Sequence, residues 1–445
     1  MNIAMREALE SVESDDSMNQ GTRACEARGK EFSTVTEMRL AGAAMMPAAR
    51  KLITERMNRY WRNRSSLFVP ERPDEVIIGA GLHASVYAAA RVAAGFPKPV
   101  ILERGKVGGA FAVTDCASFY LNSRNMPGQN GRPDRSLSGI NFLPGAPVQP
   151  DMLTGREYQS NADMAFAIRA SLAEYGEVYT GADVTDISYS GTITLASGMQ
   201  IYAGRVIDAR GLGDTATEFG QKVNGITVQT FPQFMSTLDG MFPLKGLERV
   251  AVFGGGDSGK VTVEALLGIG PKETSLSGLD YVRQVDWYAS SLPRNREDWA
   301  ATQRGRYQRI GRYLARQADV RSDGRYDGAE RLRIYNRRGT AIPTLNGALV
   351  GSRAYDRVIL CTGNSLPALG LSARRFYETE GNLAKDYDSE RVIYRVGPAA
   401  SLRFDDQEYD DFYTDNTNNR VAIFRLAPRT AALAATLPSP VNPYR

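Results

Sequence analysis

Histidine and cysteine are scarce in this 445-residue chain, and their scarcity excludes several classes of enzyme. His83 is the single histidine, so mechanisms that need two histidines are excluded, together with most zinc and non-haem iron sites. The three cysteines, Cys25, Cys116 and Cys361, lie far apart in the sequence, which argues against a disulfide framework, a zinc cluster or a CxxC redox pair. We therefore expect no metal centre, and difficult chemistry must come mainly from a bound organic cofactor.

Long apolar runs and a strong net charge are also lacking. No uninterrupted apolar run approaches the roughly 18 residues that a membrane-spanning helix needs, and the first residues carry acids where a targeting peptide needs positive charge. The formal net charge of +4 gives no reason to expect nucleic acid as a partner. The sequence therefore predicts a cytoplasmic protein without a transmembrane segment.

The segment EVIIGAGLHASVYAAARVAAG (75–95) has the strand, glycine turn and helix of a dinucleotide-binding unit. Gly79, Gly81 and Ala84 give the pattern GxGxxA: the first glycine permits a tight turn, the second lets backbone amides approach a pyrophosphate, and the small third residue lets helix and strand pack closely. A second strand, PVILE, ends at Glu103, where a carboxylate can accept the hydroxyls of an adenosine ribose. These features predict a bound dinucleotide, and a buried turn in an unliganded domain is the alternative.

A second glycine turn follows the strand RVAVF in the segment 249–268. It has the pattern GxGxxG, and its candidate ligand-binding residues are Gly254, Gly256, Asp257, Ser258 and Gly259. Residues 183–214 between the two turns predict a β-meander that ends in the strand RVIDARG, and a similar strand lies in 356–367. Two such units in one chain predict two nucleotides.

The residues after the second strand of this second unit indicate which nicotinamide nucleotide it binds. A 2′-phosphate needs hydroxyls and arginine, whereas the ribose of NADH is usually held by an acid at the end of that strand. The strand QVDWYAS is followed by Ser291 and Arg294, and its last residue is Ser290. This pattern favours NADPH, with Asp286 within the strand as the observation that favours NADH.

Over residues 73–437 this layout resembles the flavoprotein superfamily of disulfide reductases and flavin monooxygenases, which have two dinucleotide-binding domains. The matching features are both glycine turns, Glu103, the GGAF sequence that includes Gly109, and the strands VIDARG and VILCTG. The resemblance implies an α/β fold in which an FAD domain is interrupted by an inserted NAD(P)H-type domain. We expect a helical N-terminal extension over 1–70, an FAD-binding domain over 71–245 and 356–445, and an NAD(P)H-type domain over 246–355.

The resemblance also implies further site residues. Arg104, Gly109, Gly363 and Gly397 join the expected cofactor-binding set. In the superfamily the region after the second strand wraps the flavin, so the Gly- and Pro-rich segment 117–151 is expected to form an irregular loop beside the isoalloxazine. Asn122, Ser123, Arg124 and Asn125 are expected to lie near the isoalloxazine, and the expected catalytic residues among them are Asn122, Arg124 and Asn125.

The function implied is that of an FAD-dependent and NADPH-dependent monooxygenase that uses dioxygen to insert one oxygen atom into a small organic substrate through a C4a-(hydro)peroxyflavin. The cysteine pair of the disulfide reductases is not available here. The C-terminal segment 418–437 is similar to the last strand and helix of microbial N-hydroxylating monooxygenases, in which a helix N-terminus faces the flavin. Two alternatives remain: an FAD-dependent oxidase or dehydrogenase with a degenerate second site, and a non-catalytic flavin-binding protein.

Three features have both a functional and a structural interpretation. His83 either faces the phosphates or the flavin edge, or packs at the start of the helix, which we favour. The arginines of 304–316, with Arg309, Arg312 and Arg316 on one helical face, bind an anion or, as we favour, pair with nearby acids. The basic amphipathic segment 47–64 lies on a membrane surface or, as we favour, packs on the protein body or on a second subunit of a homodimer.

Overall fold

The fold was analysed in a computed structural model. It describes residues 55, 59, 61, 68–114, 120–124, 158–188, 191–215, 221–237, 246–269, 282–290, 292–293, 296–301, 306–320, 326–329, 331–365, 369, 377–379, 382–388, 391–398 and 427–443.

The helices and strands are numbered separately in chain order. The helices are α1 (Leu82–Ala93), α2 (Gly109–Thr114), α3 (Asn161–Tyr175), α4 (Phe231–Thr237), α5 (Asp257–Leu267), α6 (Arg296–Ala301), α7 (Arg306–Gln317) and α8 (Ala427–Thr436). The strands are β1 (Glu75–Ile78), β2 (Val100–Glu103), β3 (Tyr120–Arg124), β4 (Tyr158–Ser160), β5 (Glu177–Thr180), β6 (Val184–Ile187), β7 (Thr192–Leu195), β8 (Gln200–Tyr202), β9 (Arg205–Asp208), β10 (Asp214–Thr215), β11 (Val228–Thr230), β12 (Arg249–Phe253), β13 (Gln284–Tyr288), β14 (Ala318–Val320), β15 (Tyr326–Ala329), β16 (Leu332–Tyr335), β17 (Ala341–Thr344), β18 (Gly347–Val350), β19 (Arg353–Tyr355), β20 (Arg357–Leu360), β21 (Asn364–Ser365), β22 (Tyr377–Thr379), β23 (Asn382–Asp388) and β24 (Arg391–Arg395).

The first large sheet has the strand order β22-β23-β24-β9-β1-β2-β5. Its five strands from β24 to β5 are parallel, and β22 and β23 extend it as an antiparallel edge. The parallel strands are short runs of Val, Ile and Leu that are buried on both faces, as expected when helices cover a parallel sheet. Helices α1, α3 and α8 contribute to the hydrophobic core of this domain.

The second large sheet has the order β11-β20-β12-β13-β16, and all of its strands are parallel. Helices α5 and α7 contribute to the core on one of its faces. On the other face, a core is shared with the antiparallel sheet β17-β18-β19. Two strands of the second sheet, β11 and β20, lie outside the range 246–355 that was expected for this domain.

The antiparallel strands β6, β7 and β8 form the expected meander, and β9 then returns the chain to the first sheet beside β1. The strand β20 returns the chain in the same way beside β12. The expectation of an irregular loop over 117–151 is wrong at its start, since residues 120–124 form β3 and pair with β4. The rest of that segment, residues 125–151, lies outside the described residues.

Within the described part of the chain, no helix is both long and apolar enough to cross a membrane.

Candidate nucleotide-binding sites

The first candidate site lies where the direction of the strand order reverses in the first sheet. The strands β2 and β5 lie on one side of β1, and the later strands β9 and β24 lie on its other side. Such a reversal opens a crevice outside the carboxyl ends of the strands, which is where open α/β sheets bind ligands. Gly79 directly follows β1 at this point, so the first glycine turn lines the crevice.

Close backbone contacts explain Gly79 in this turn and Gly109 beside it. Gly79 has φ +93°, and a Cβ atom there would lie 3.0 Å from the carbonyl oxygen of Ala209. Gly81 precedes α1 and packs against Gly109, where an added Cβ would lie 2.8 Å from the Gly81 Cα atom. Ala84 is fully buried where α1 packs on the sheet. The glycines of the turn therefore have no side chains that would cover the backbone at the start of α1. The backbone amides there and the positive end of the helix dipole suit a pyrophosphate.

Glu103 is placed at the end of β2, beside this turn. Its carboxylate accepts hydrogen bonds from the Ala80 amide at 2.8 Å and the Gly105 amide at 2.6 Å. Burial raises the pKa of the Glu103 carboxyl above its ordinary value, and the two amide hydrogen bonds oppose that rise. Glu103 remains partly exposed, so its carboxylate is fixed in place and can still accept hydroxyl groups from a ligand. Arg104, which follows it, is exposed.

His83 packs inside the domain. It is buried, and its Nδ1 atom lies 2.8 Å from the hydroxyl of Thr430 in the first turn of α8. A Cβ atom at Gly397, which has φ +63°, would collide with the His83 ring. The structure thus gives His83 the packing role that we favoured, and it explains Gly397 by close contact with that ring.

Helix α8 runs parallel to α1. The amino-terminal turns of the two helices meet at His83 and Thr430, and near their carboxyl ends Arg91 donates to the carbonyl oxygens of Ala434 and Leu437 at 3.0 and 2.7 Å. Both amino termini consequently point toward the carboxyl edge of the first sheet. The expected C-terminal helix is confirmed over 427–436, while residues 418–426 lie outside the described part of the chain.

The second candidate site repeats the geometry of the first. The strand order of the second sheet reverses between β12 and β20, and Gly254 follows β12 at this point. A Cβ atom at Gly254, which has φ +111°, would collide with the carbonyl oxygen of Cys361, and one at Gly259 would collide with the carbonyl oxygen of Gly254. The indole of Trp287 donates to that same Gly254 oxygen at 2.8 Å. The turn is therefore held by close packing with α5 and β20.

The amino terminus of α5 is open to a ligand. Apart from the glycine itself and the residues adjacent to it in the chain, no described residue has an atom within 4 Å of the position that a Cβ atom would occupy at Gly256, and the same is true of Gly363 after β20. Asp257 in the first turn of α5 would repel an anion, but the ammonium group of Lys260 pairs with it at 2.9 Å. Ser258, which lies between Asp257 and Lys260 in the sequence, is half-buried.

Comparisons with known proteins find matches among solved structures. No protein-family model matches the chain, and no curated protein matches it at a significant level. The ornithine hydroxylase of Pseudomonas aeruginosa superposes with a TM-score of 0.52 at 15% identity, and the match covers 82% of this chain and 98% of that protein. The ornithine N-hydroxylase of Kutzneria sp. 744, solved with reduced FAD, NADP⁺ and L-ornithine, gives the same values. The L-lysine 6-monooxygenase of Pseudomonas syringae has a TM-score of 0.50 at 15% identity over the same shares.

The chain has the two-dinucleotide-domain flavoprotein fold. At this level of identity the likeness establishes the fold, and the predicted fold class is confirmed. In this flavoprotein fold, the first glycine turn lies in the sheet that corresponds to the expected FAD domain, and the second lies in the sheet that corresponds to the expected NAD(P)H-type domain.

A buried charge cluster at the carboxyl end of the first sheet was not predicted from the sequence. Asp208 at the end of β9 pairs with Arg210 at 2.8 Å and with Arg395 of β24 at 3.0 Å. Burial opposes ionisation of Asp208, but the hydrogen bonds and charges of the two arginines outweigh it and hold the pKa of Asp208 below its usual value. The cluster joins β9 to β24 beside Gly79. The sequence feature that could have indicated it is a charged residue at the end of each of these two strands.

Asp286 does not occupy the position of a ribose-binding acid. It is fully buried two residues before the end of β13, and it accepts hydrogen bonds from the Tyr355 hydroxyl at 2.6 Å and the Gln284 amide at 2.9 Å. Because this carboxylate is buried and already hydrogen-bonded, it no longer favours NADH over NADPH. Ser290 is exposed beyond the strand, and Arg294 lies outside the described residues.

The remaining predicted residues are only partly described. Asn122 and Arg124 belong to β3, whose backbone alone is described, and Asn125 lies outside the described residues. Their expected role beside the flavin therefore stays a prediction. Arg309 pairs with the buried Glu264 of α5 at 2.6 Å, which is the structural role that we favoured for the arginine-rich helix.

Proposed function

We propose that the protein is an FAD-dependent and NADPH-dependent monooxygenase that acts on a small organic substrate. The observation that carries the proposal is the repetition of one arrangement: each of two parallel sheets has a glycine turn at the point where its strand order reverses. Two nucleotide sites in one chain suit a reaction in which one bound nucleotide reduces the other. The scarcity of histidine and cysteine agrees with a reaction whose chemistry comes from a cofactor.

The residues of the first site fit FAD. Gly79, Gly81 and Gly109 leave room for the pyrophosphate at the start of α1, and Glu103 would accept the hydroxyls of the adenosine ribose. The amino terminus of α8 lies at the same edge of the sheet and would favour negative charge on a ligand there. Bound FAD would supply a group that accepts hydride from NADPH and transfers one oxygen atom from dioxygen to the substrate.

The residues of the second site fit a dinucleotide that binds and dissociates in each catalytic cycle. The start of α5 is open at Gly256, and Lys260 neutralises the acid that would otherwise repel a pyrophosphate. Gly363 faces the same crevice from the end of β20 and leaves its space open.

Oxygen transfer is supported by the neighbours in structure. Proteins that match with a TM-score of 0.50 or more include a lysine monooxygenase, ornithine hydroxylases and a cadaverine monooxygenase of Erwinia amylovora. We propose that Asn122, Arg124 and Asn125 hold the substrate and exclude water, and that the charge of Arg124 stabilises the reduced flavin or binds an acidic group of the substrate. Primary amines are the first substrates to screen.

The first experiment is anaerobic stopped-flow absorbance of the FAD-loaded protein mixed with NADPH or with NADH. We expect NADPH to bleach the flavin, and subsequent oxygen uptake to yield less hydrogen peroxide once a substrate amine is added. Stoichiometric peroxide with every compound would favour an oxidase. A flavin that stays oxidised with both nucleotides would contradict the proposed use of the second site and favour a different reductant or a non-catalytic role.

A further inference from the structure

We propose that Arg337 recognises the 2′-phosphate of NADPH at the second site. This inference rests on the proposed function, because it assumes that a nicotinamide dinucleotide binds there. It differs from the expectation drawn from the sequence, which assigned the phosphate to Ser290 and Arg294 on the chain that follows β13.

The backbone places Arg337 beside the end of β13. The carbonyl oxygen of Tyr335, the last residue of β16, accepts hydrogen bonds from the amide of Ala289 at 3.0 Å and from the amide of Arg337 at 2.8 Å. Ala289 is the first residue after β13, and the ribose of a dinucleotide lies at the end of this second strand of the unit. Because the amides of Ala289 and Arg337 share one acceptor, they must lie close together. The backbone of Arg337 is therefore near the position expected for the ribose.

An aromatic pair supports the side chain of Arg337. The rings of Tyr288 and Tyr335 stack with their centroids 4.7 Å apart, and the guanidinium of Arg337 lies 5.7 and 5.4 Å from these two centroids. A guanidinium at this range is attracted to the ring faces and loses part of its rotational freedom before a ligand arrives. A side chain prepared in this way suits a phosphate that it must bind with two hydrogen bonds.

Arg337 also differs in its charge balance from Arg353, which contacts the same tyrosine. Arg353 lies 3.6 Å from Asp286 and contacts the hydroxyl of Tyr335. Arg337 is exposed, and it forms no ion pair with any residue that the structure describes. Its charge is thus available to an anion from solution.

None of the described residues that directly follow β13 is an acid that could bind an unphosphorylated ribose. Ala289 and Ser290 come first after the strand, and Asp286 within it is buried and accepts a hydrogen bond from Tyr355. A 2′-phosphate would meet a hydroxyl and an arginine without a competing carboxylate.

Isothermal titration calorimetry of the FAD-loaded protein with adenosine 2′,5′-bisphosphate and with 5′-AMP tests the inference without catalysis. We expect the wild-type protein to bind the bisphosphate more tightly, and Arg337→Gln to reduce that preference about 10- to 100-fold while the affinity for 5′-AMP stays the same. Arg337→Lys should retain part of the preference because it keeps the charge and loses the planar fork. Arg283→Gln makes the same charge change at the exposed amino end of β13 and should leave both affinities unaltered.

The outcomes separate the two proposals. If Arg337→Gln keeps the wild-type preference, or if Arg294→Gln alone removes it, the role of Arg337 is wrong and the NADPH-dependent function stands. If the wild-type protein binds both ligands equally, recognition of the 2′-phosphate fails. If it binds neither ligand and NADPH does not reduce the flavin, the proposed function fails together with this inference.

Discussion

At the residue scale, Glu103 is the carboxylate that we propose binds the ribose at the first nucleotide site. Two backbone amides hold it at the end of β2, so replacing it by glutamine keeps its shape and removes the charge and one acceptor. We expect Glu103→Gln to weaken FAD binding about 10- to 100-fold, because hydrogen bonds between a carboxylate and buried hydroxyls are charge-assisted. Equilibrium dialysis with detection of free flavin fluorescence measures this change. Glu177→Gln, at the amino end of the neighbouring strand β5, is the matched control, and an equal loss in both variants would contradict the assignment.

Cys361 is expected to be chemically inert although it lies at the second site. Its thiol is buried against the hydroxyl of Thr262, and burial raises the pKa of Cys361 to about 12, with the hydrogen bond opposing the rise. At pH 8 only about one thiol in ten thousand is then the reactive thiolate. We expect iodoacetamide to label the native protein slowly at Cys361, at a rate that rises with pH, and rapidly in denaturant. Peptide mass mapping follows this one cysteine, and fast native labelling at pH 8 would show that the thiol is accessible.

At the scale of elements, Arg91 fastens α8 to α1. Its buried guanidinium pairs with Glu75 at 3.2 Å and donates to the carbonyl oxygens of Ala434, Leu437 and Pro438. Removing one partner of a buried ionic network costs about 3 to 5 kcal/mol, whereas an exposed pair contributes less than about 1 kcal/mol. We expect Arg91→Leu to lower the unfolding temperature and expose the C-terminal helix to limited proteolysis. Arg283→Gln, which breaks an exposed pair with Glu248, should do neither.

The elements that were predictable from sequence are those encoded by adjacent residues. Each glycine turn with its strand and helix is a local pattern, and so is the position of Glu103 at the end of β2. The location of Arg337 is not local, because it depends on the pairing of Tyr335 with Tyr288 in a sheet whose strand order departs from the chain order. The burial of Asp286 depends in the same way on Tyr355 of β19. The two glycine turns were therefore predictable from sequence, whereas the side chains around the end of β13 were not.

At the scale of the whole molecule, Trp61, a described residue of the expected N-terminal extension, packs in the core of the first domain. Glu55 and Arg59 are helical and exposed, whereas Trp61 is 2% exposed and belongs to the core of that domain. The hydroxyl of Thr180, at the end of β5, donates to the Trp61 carbonyl oxygen at 2.8 Å. This contact supports packing of Trp61 on the protein body over a position on a membrane surface, and it places Trp61 beside Thr180, whose backbone pairs with that of Glu103.

The attachment makes an aromatic residue outside the nucleotide-binding units important for the stability of the first one. We expect Trp61→Ala to destabilise that domain by about 3 to 5 kcal/mol, because it removes a large buried ring and leaves a cavity. Phe68→Ala removes a ring that is 67% exposed and should change stability by less than about 0.5 kcal/mol. Flavin fluorescence during thermal unfolding reports the first domain separately from the second. If both variants melt alike, and if the wild-type protein sediments with anionic lipid vesicles through a contact that Trp61→Ala abolishes, then the ring serves a membrane surface and the packing seen here is not its main role.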